Sequence, residues 1–157
     1  MEIAAEISAA LADEWLPSLY WDKIRSQRTR SIRNEVPARE NRAEIQYTLL
    51  GIELKVGKRR FASPDLATAR YMRIFARIGC MEFAIPYDIT KISAAADELE
   101  TAWQRSLVIL AENTAGKPPK SVTSLRSKLV KAIRTEIDEI GPGDAMPAFN
   151  RETRQRL

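Results

Sequence analysis

Ile52-Glu53-Leu54-Lys55-Val56 alternates apolar and charged residues without a break and is closed by Gly57. A period of two puts Ile52, Leu54 and Val56 on one face of a strand and Glu53 and Lys55 on the other, so the chain must build a sheet with one covered face. The residues on either side extend the pattern. From Glu44 the composition turns β-branched, aromatic and aliphatic, and Gly51 interrupts the run. Strands are predicted at about 44 to 49, 51 to 56 and 59 to 62, with Gly57-Lys58 turning the last two.

A helix follows directly. Ser63-Pro64-Asp65 offers a cap, a proline for the first helical position and an acid at the positive end of the dipole, and Gly79 is a left-handed stop after Ile78. Tyr71, Ile74, Phe75 and Ile78 form its apolar stripe, with Arg70, Arg73 and Arg77 together beside it. Met81 to Tyr87 then reads as a short strand ended by Pro86.

Helices account for the rest. Ile3, Ile7, Ala10 and Leu11 recur at helical spacing up to Trp15, and Pro17 marks a restart into a second, arginine-rich helix from Ser18 to Arg33. Asn34 to Asn41, with Pro37, reads as a linker. Lys91 to Asn113 places Ala96, Leu99, Trp103 and Leu110 inward, and Ser121 to Ile140 carries an apolar stripe from Val122 to Ile140 before the stop at Gly141-Pro142.

This order predicts an α/β (α+β) fold: a small mixed sheet of about four strands, closed by a right-handed crossover, flanked by helices and completed by a C-terminal helical hairpin. With 157 residues, 45% of them apolar, the expectation is one core domain over 1–114. A helix over 115–141 would pack on or extend it, and a flexible tail would occupy 142–157.

Histidine is absent, which removes histidine-based nucleophilic and general-base catalysis and nearly all zinc chemistry. What remains is carboxylate, lysine and backbone chemistry, and the metals it suits are hard cations such as magnesium (Mg2+) or manganese (Mn2+). Cys80 stands alone among Ile78, Gly79 and Met81 and reads as a buried, inert thiol. No run approaches the ~18 to 20 apolar residues of a membrane span, and the first residues are acidic where a signal peptide is basic, so a cytoplasmic protein without membrane contact is expected.

The net charge of +4 is laid out in blocks. Residues 1 to 22 hold Glu2, Glu6, Asp13, Glu14 and Asp22 and no base. Lys55, Lys58, Arg59, Arg60, Arg70, Arg73 and Arg77 stand against Asp65, and Lys117 to Arg134 contains no acid. Basic blocks separated by acidic helices point to an anionic partner, and Arg59, Arg60, Arg70, Arg73 and Arg77 are the candidate contacts to a nucleic-acid backbone.

A helix, a meander whose later strand carries Glu-x-Lys, a second helix and a returning strand together resemble the core of the PD-(D/E)xK nuclease superfamily. The run from Gly51 to Asp88 is most similar to its Holliday-junction-resolvase branch. The resemblance covers about a quarter of the chain and is one of element order. It implies Mg2+- or Mn2+-dependent phosphodiester cleavage, with Glu53 as metal ligand and Lys55 as the catalytic amine. A second metal carboxylate is needed to fix the cation. With no aspartate between Asp22 and Asp65, that role falls to Glu44, or to Glu40 in the linker.

Two functions follow from different features. One is a nucleic-acid-associated protein of nuclease-like fold, cleaving or degenerate. The other is a non-catalytic protein-interaction or oligomerisation module, in which the sheet is scaffold and helices 91–113 and 121–140, of opposite charge, pair with each other, a second copy or a partner.

Overall fold

The structure is a computed structural model and describes residues 2–143. It is a mixed α+β fold. Helix α1 (Ile3–Leu11) leads through a single 3-10 turn to α2 (Leu16–Leu19), which continues into a π turn over Tyr20–Ile24. Strands β1 (Thr29–Arg33), β2 (Ala43–Thr48), β3 (Gly51–Val56) and β4 (Arg59–Ser63) follow, then α3 (Leu66–Ile78), β5 (Glu82–Pro86), α4 (Ile92–Asn113) and α5 (Pro119–Ile140).

The strands form two antiparallel sheets and not the single mixed sheet expected. β2, β3 and β4 make a meander, and β5 pairs with β1. The predicted crossover therefore does not form, and the arginine-rich helix predicted to run to Arg33 stops early. Ser26 Oγ and Gln27 Nε2 donate back to the Asp22 and Lys23 carbonyls (2.5 and 2.8 Å), closing the last turn. Thr29 to Arg33 then lies along β5, Ile32 opposite Phe83 and Ser31 opposite Ala84.

Two tyrosines explain why β5 takes no third strand at Ala84. Tyr20 OH accepts from the Ala84 N–H (2.8 Å) and donates to the Gly141 carbonyl (2.7 Å), while Tyr71 OH donates to the Ala84 carbonyl (2.6 Å). Side-chain hydroxyls thus satisfy backbone groups that another strand would otherwise pair. Tyr20, Tyr71, Phe75 and Phe83 form one aromatic cluster, with Phe75 and Phe83 stacked at 4.2 Å.

Helix α3 is the hub, touching the meander on one side and α4 and α5 on others. Asp65, two residues after the expected Ser63, is its cap, accepting from the Thr68 N–H at 2.7 Å. Its C-terminus is closed by the segment read as a linker. Asn41 donates through Nδ2 to the Ala76 carbonyl and through its backbone N–H to that of Arg77, and Arg134 reaches the carbonyl of Ile78. Gly79 sits there at φ 89°, and a Cβ on it would lie 2.4 Å from the Arg39 carbonyl oxygen. Any side chain is excluded, by conformation and by space.

Helices α4 and α5, expected to form a C-terminal hairpin, each pack on α1, α2 and α3. Leu129, Val130, Ile133 and Ile137 of α5 belong to the same core as Ile7, Trp15 and Phe75. The tail predicted from 142 lies, beyond Gly143, outside the described residues.

Candidate functional site

Register fixes what the meander displays. Glu44 lies opposite Lys55 and Lys55 opposite Arg60; one row along, Gln46 lies opposite Glu53 and Glu53 opposite Ala62. Alternation therefore puts Glu44, Glu53, Lys55 and Arg60 on one face, while Ala43, Leu54 and Val56 are buried on the other, toward α3. The fold does bring Glu44, Glu53 and Lys55 to the same surface.

Both carboxylates on that surface are already paired, whereas Lys55 forms no ion pair among the described residues. Glu44 accepts from Arg42 Nε at 3.0 Å, and Glu53, with its side chain 13% exposed, accepts from Arg60 at 3.4 Å. Glu44 and Glu53 are diagonal neighbours, roughly 7 to 8 Å apart in a ladder of this kind, so each meets a base before it meets the other. A divalent cation shared by them would have to displace Arg42 and Arg60. Among the described residues no group of three or more acidic or cysteine side chains is placed to hold a metal ion. Glu40, the other candidate ligand, is gripped by Arg126 through Nε (2.8 Å) and the terminal nitrogen (2.6 Å).

The arginine stripe on α3 faces α4. Arg77 donates to both oxygens of Glu100 (2.9 and 3.0 Å), with both side chains about three-quarters buried, and Arg70 pairs with Asp97. Arg73 lies between them with its Nε buried and unpartnered, and desolvation, then the neighbouring Arg77, lowers its pKa. The acids of α4 and the bases of α3 form an internal clamp, and the spacing that suggested a phosphate track serves the helix pair. Arg59 reaches the Glu35 carboxylate and carbonyl, each at 3.2 Å, at the fold's surface.

The remaining candidates have local roles. Asp88 accepts from the Thr90 hydroxyl and N–H, which hold its pKa below the usual carboxylate value. Glu14 pairs with Arg105. Burial pushes the Cys80 thiol up to about 12, in keeping with the inert role read from sequence.

The feature that the residue pattern concealed is the β2–β3 turn. Along the inward face of β2 burial falls from Ala43 through half-buried Ile45 to Tyr47, which is 72% exposed, so the hairpin runs out past its covering helix. At its end Leu49 is wholly in water and Leu50 is 89% exposed. The turn is pinned: the Leu50 N–H donates to Thr48 Oγ1 (3.1 Å), which donates to the Gly51 carbonyl (3.3 Å). The residue pattern ends a strand at Leu49, yet two leucines ahead of a glycine occupy the position where turn residues belong. No family model, curated protein or solved structure matches the chain.

Proposed function

We propose that this chain is a non-catalytic protein-interaction module that docks through the β2–β3 hairpin onto a partner with an apolar pocket. The observation that carries this is Leu49 and Leu50 standing in water on a side-chain-pinned turn. Isolated exposed leucines are ordinary, but a contiguous Tyr47, Leu49 and Leu50 at a projecting tip is the form of a hot-spot anchor. The pinned turn limits the ordering cost of docking.

The charges near the tip favour a protein over an anionic surface. Moving along the strands from the turn, Glu53 comes first, and Asp65 lies two residues beyond Ser63, the partner of Ile52. The first bases, Lys55 and Arg60, come about 13 Å back from Gly51 at the rise of a β-strand. Insertion into an anionic membrane, or contact with nucleic acid, calls for bases beside the apolar anchor. Among the described residues no helix is long and apolar enough to cross a membrane.

Burying both leucines contributes about 3 to 6 kcal/mol. Once a partner has been identified and purified, Leu49→Ser with Leu50→Ser should therefore weaken binding by about a hundredfold or more. Unchanged affinity for that partner, or loss in the variant of binding to anionic vesicles or DNA, would overturn the assignment.

A second reading, association with nucleic acid, is favoured by the opposite turn of the meander, where Lys55, Lys58, Arg59 and Arg60 fall within six residues. It predicts affinity that falls steeply with salt. If the association includes Mg2+-dependent cleavage, Glu53→Ala and Lys55→Ala must each abolish it in a folded protein.

A further inference from the structure

We infer that a second copy of this chain docks along the groove between α1 and α5, making a two-fold dimer through a surface separate from the hairpin. The groove has a volume of about 810 Å³, with Ile3, Ala4, Leu125 and Ala132 in its lining. Glu2 lies on its α1 side, and Lys128 and Lys131 lie on its α5 side. These helices pack on each other, so the groove has a core-anchored floor.

Helix α1 is unusual for a surface helix. Its exposed positions are Ala5, Glu6, Ala9 and Ala10, whereas a solvent-facing helix ordinarily turns charged and polar side chains outward. With Ala4 in the groove lining and Ala5, Ala9 and Ala10 exposed on the same helix, α1 carries few bulky side chains to hold a second helix beyond the usual ~8 to 10 Å interaxial distance. The half-buried Leu125 adds apolar surface on the other side.

Charge then selects the occupant. Residues 1 to 22 contain acids and no base, while residues 117 to 134 contain bases and no acid. Glu2 and Glu6 on one helix, and Lys128 and Lys131 on the other, are all exposed, and none of them forms an ion pair among the described residues. Glu136 also lines the α5 side and accepts from Trp15 Nε1; with Lys128 and Lys131 beside it that side is net basic, while the α1 side is acidic. A two-fold axis running along the groove lays the α1 side of each copy on the α5 side of the other, so Glu2 and Glu6 meet the side of Lys128 and Lys131 twice over. An unrelated partner would have to carry the same antisymmetric pattern, which a second copy carries by construction.

Helix α5 has 22 residues and α1 has nine, about 33 and 14 Å long, and each is about 10 Å across. The face they share offers about 470 Å² per copy, about 940 Å² in all, the size of a weak and reversible interface.

The test uses the full chain and two charge-reversed variants, Glu2→Lys with Glu6→Lys, and Lys128→Glu with Lys131→Glu. All four positions are exposed, so both variants should fold with the wild-type circular dichroism spectrum and melting temperature. Mass is read by light scattering over a dilution series. The wild type is expected to approach twice the monomer mass at the concentrated end of the series, and each variant alone should dimerise about tenfold or more weakly, because like charges now face each other. An equimolar mixture of the two variants should recover the dimer, since every acid again meets a base. A wild type that stays monomeric at all concentrations overturns the inference, as does a dimer indifferent to both reversals or a mixture that stays monomeric. Leu49→Ser with Leu50→Ser should leave the mass unchanged, which separates a failure here from a failure of the hairpin assignment.

Discussion

In the β1–β5 pair, Phe83, Ala84 and Ile85 are shut away from water and two tyrosine hydroxyls reach the backbone of Ala84; in the β2–β3–β4 meander only the face toward α3 is covered, and Tyr47, Leu49 and Leu50 stand in solvent. The individual strands are of similar length in both places, five or six residues each. The first sheet is a component of the core, and its residues are fixed by what surrounds them. The second is anchored through Leu54 and Val56 and leaves its outer face and tip free to vary. Stability and display are thus carried by different sheets.

That division can be broken by substitution. Phe83→Ala, which removes a ring stacked on Phe75, should cost about 3 to 5 kcal/mol in denaturant unfolding. A loss under about 1 kcal/mol would mean that the buried sheet is not part of the cooperative core. Tyr71→Phe keeps the ring and removes the donor to the Ala84 carbonyl, so it should cost about 1 to 3 kcal/mol. A neutral result would show that the hydroxyl does not satisfy that backbone group.

High pH acts on the same region. Burial raises the Cys80 thiol from 9.0 to about 12 and the Tyr20 phenol from 10.0 to about 12. The unfolded chain gives up these protons first, so their contribution is complete below about pH 9 and is lost as the pH climbs toward 12, at a limiting slope of about 1.4 kcal/mol per pH unit for each group. Melting temperature should decline over that window, and Cys80→Ala should remove the part of the decline that begins near pH 9. A flat profile to pH 11 would contradict the burial of both groups. The smallest effect belongs to the tip: Leu49→Ser with Leu50→Ser should change stability by no more than about 0.5 kcal/mol. A larger loss would mean that the hairpin packs on the core.

The helices α3, α4 and α5 were legible because each combines a sustained apolar period with a local stop, Gly79 and Gly141 among them. β1 was not, because Thr29-Arg30-Ser31-Ile32-Arg33 carries little apolar pattern of its own. It becomes a strand because Phe83 and Ile85 lie beside it, which is information held fifty residues away. For the same reason the separation into two sheets could not be read: it depends on hydroxyls of Tyr20 and Tyr71 meeting one backbone residue. Glu53 and Lys55 were expected on one face, since alternation follows from the strand itself; that Glu44 joins them depends on the β2–β3 register. The partners of Arg70 and Arg77 were not expected, since spacing along one helix does not reveal which helix lies across from it. Leu49-Leu50 was in plain view, and only the burial along β2 shows that the chain turns there in open water.

With Ala84 closed by two tyrosines, the edges that the meander leaves unpaired are the outer sides of β2 and β4. Both bear charge, Arg42 and Glu44 at the start of one and Arg59 and Arg60 at the start of the other. Exposed edges of this kind recruit further strands from neighbouring molecules, and charged side chains along them are the usual defence against aggregation. Arginines whose spacing invites a phosphate therefore also act as gatekeepers that keep a protein with an apolar tip dispersed.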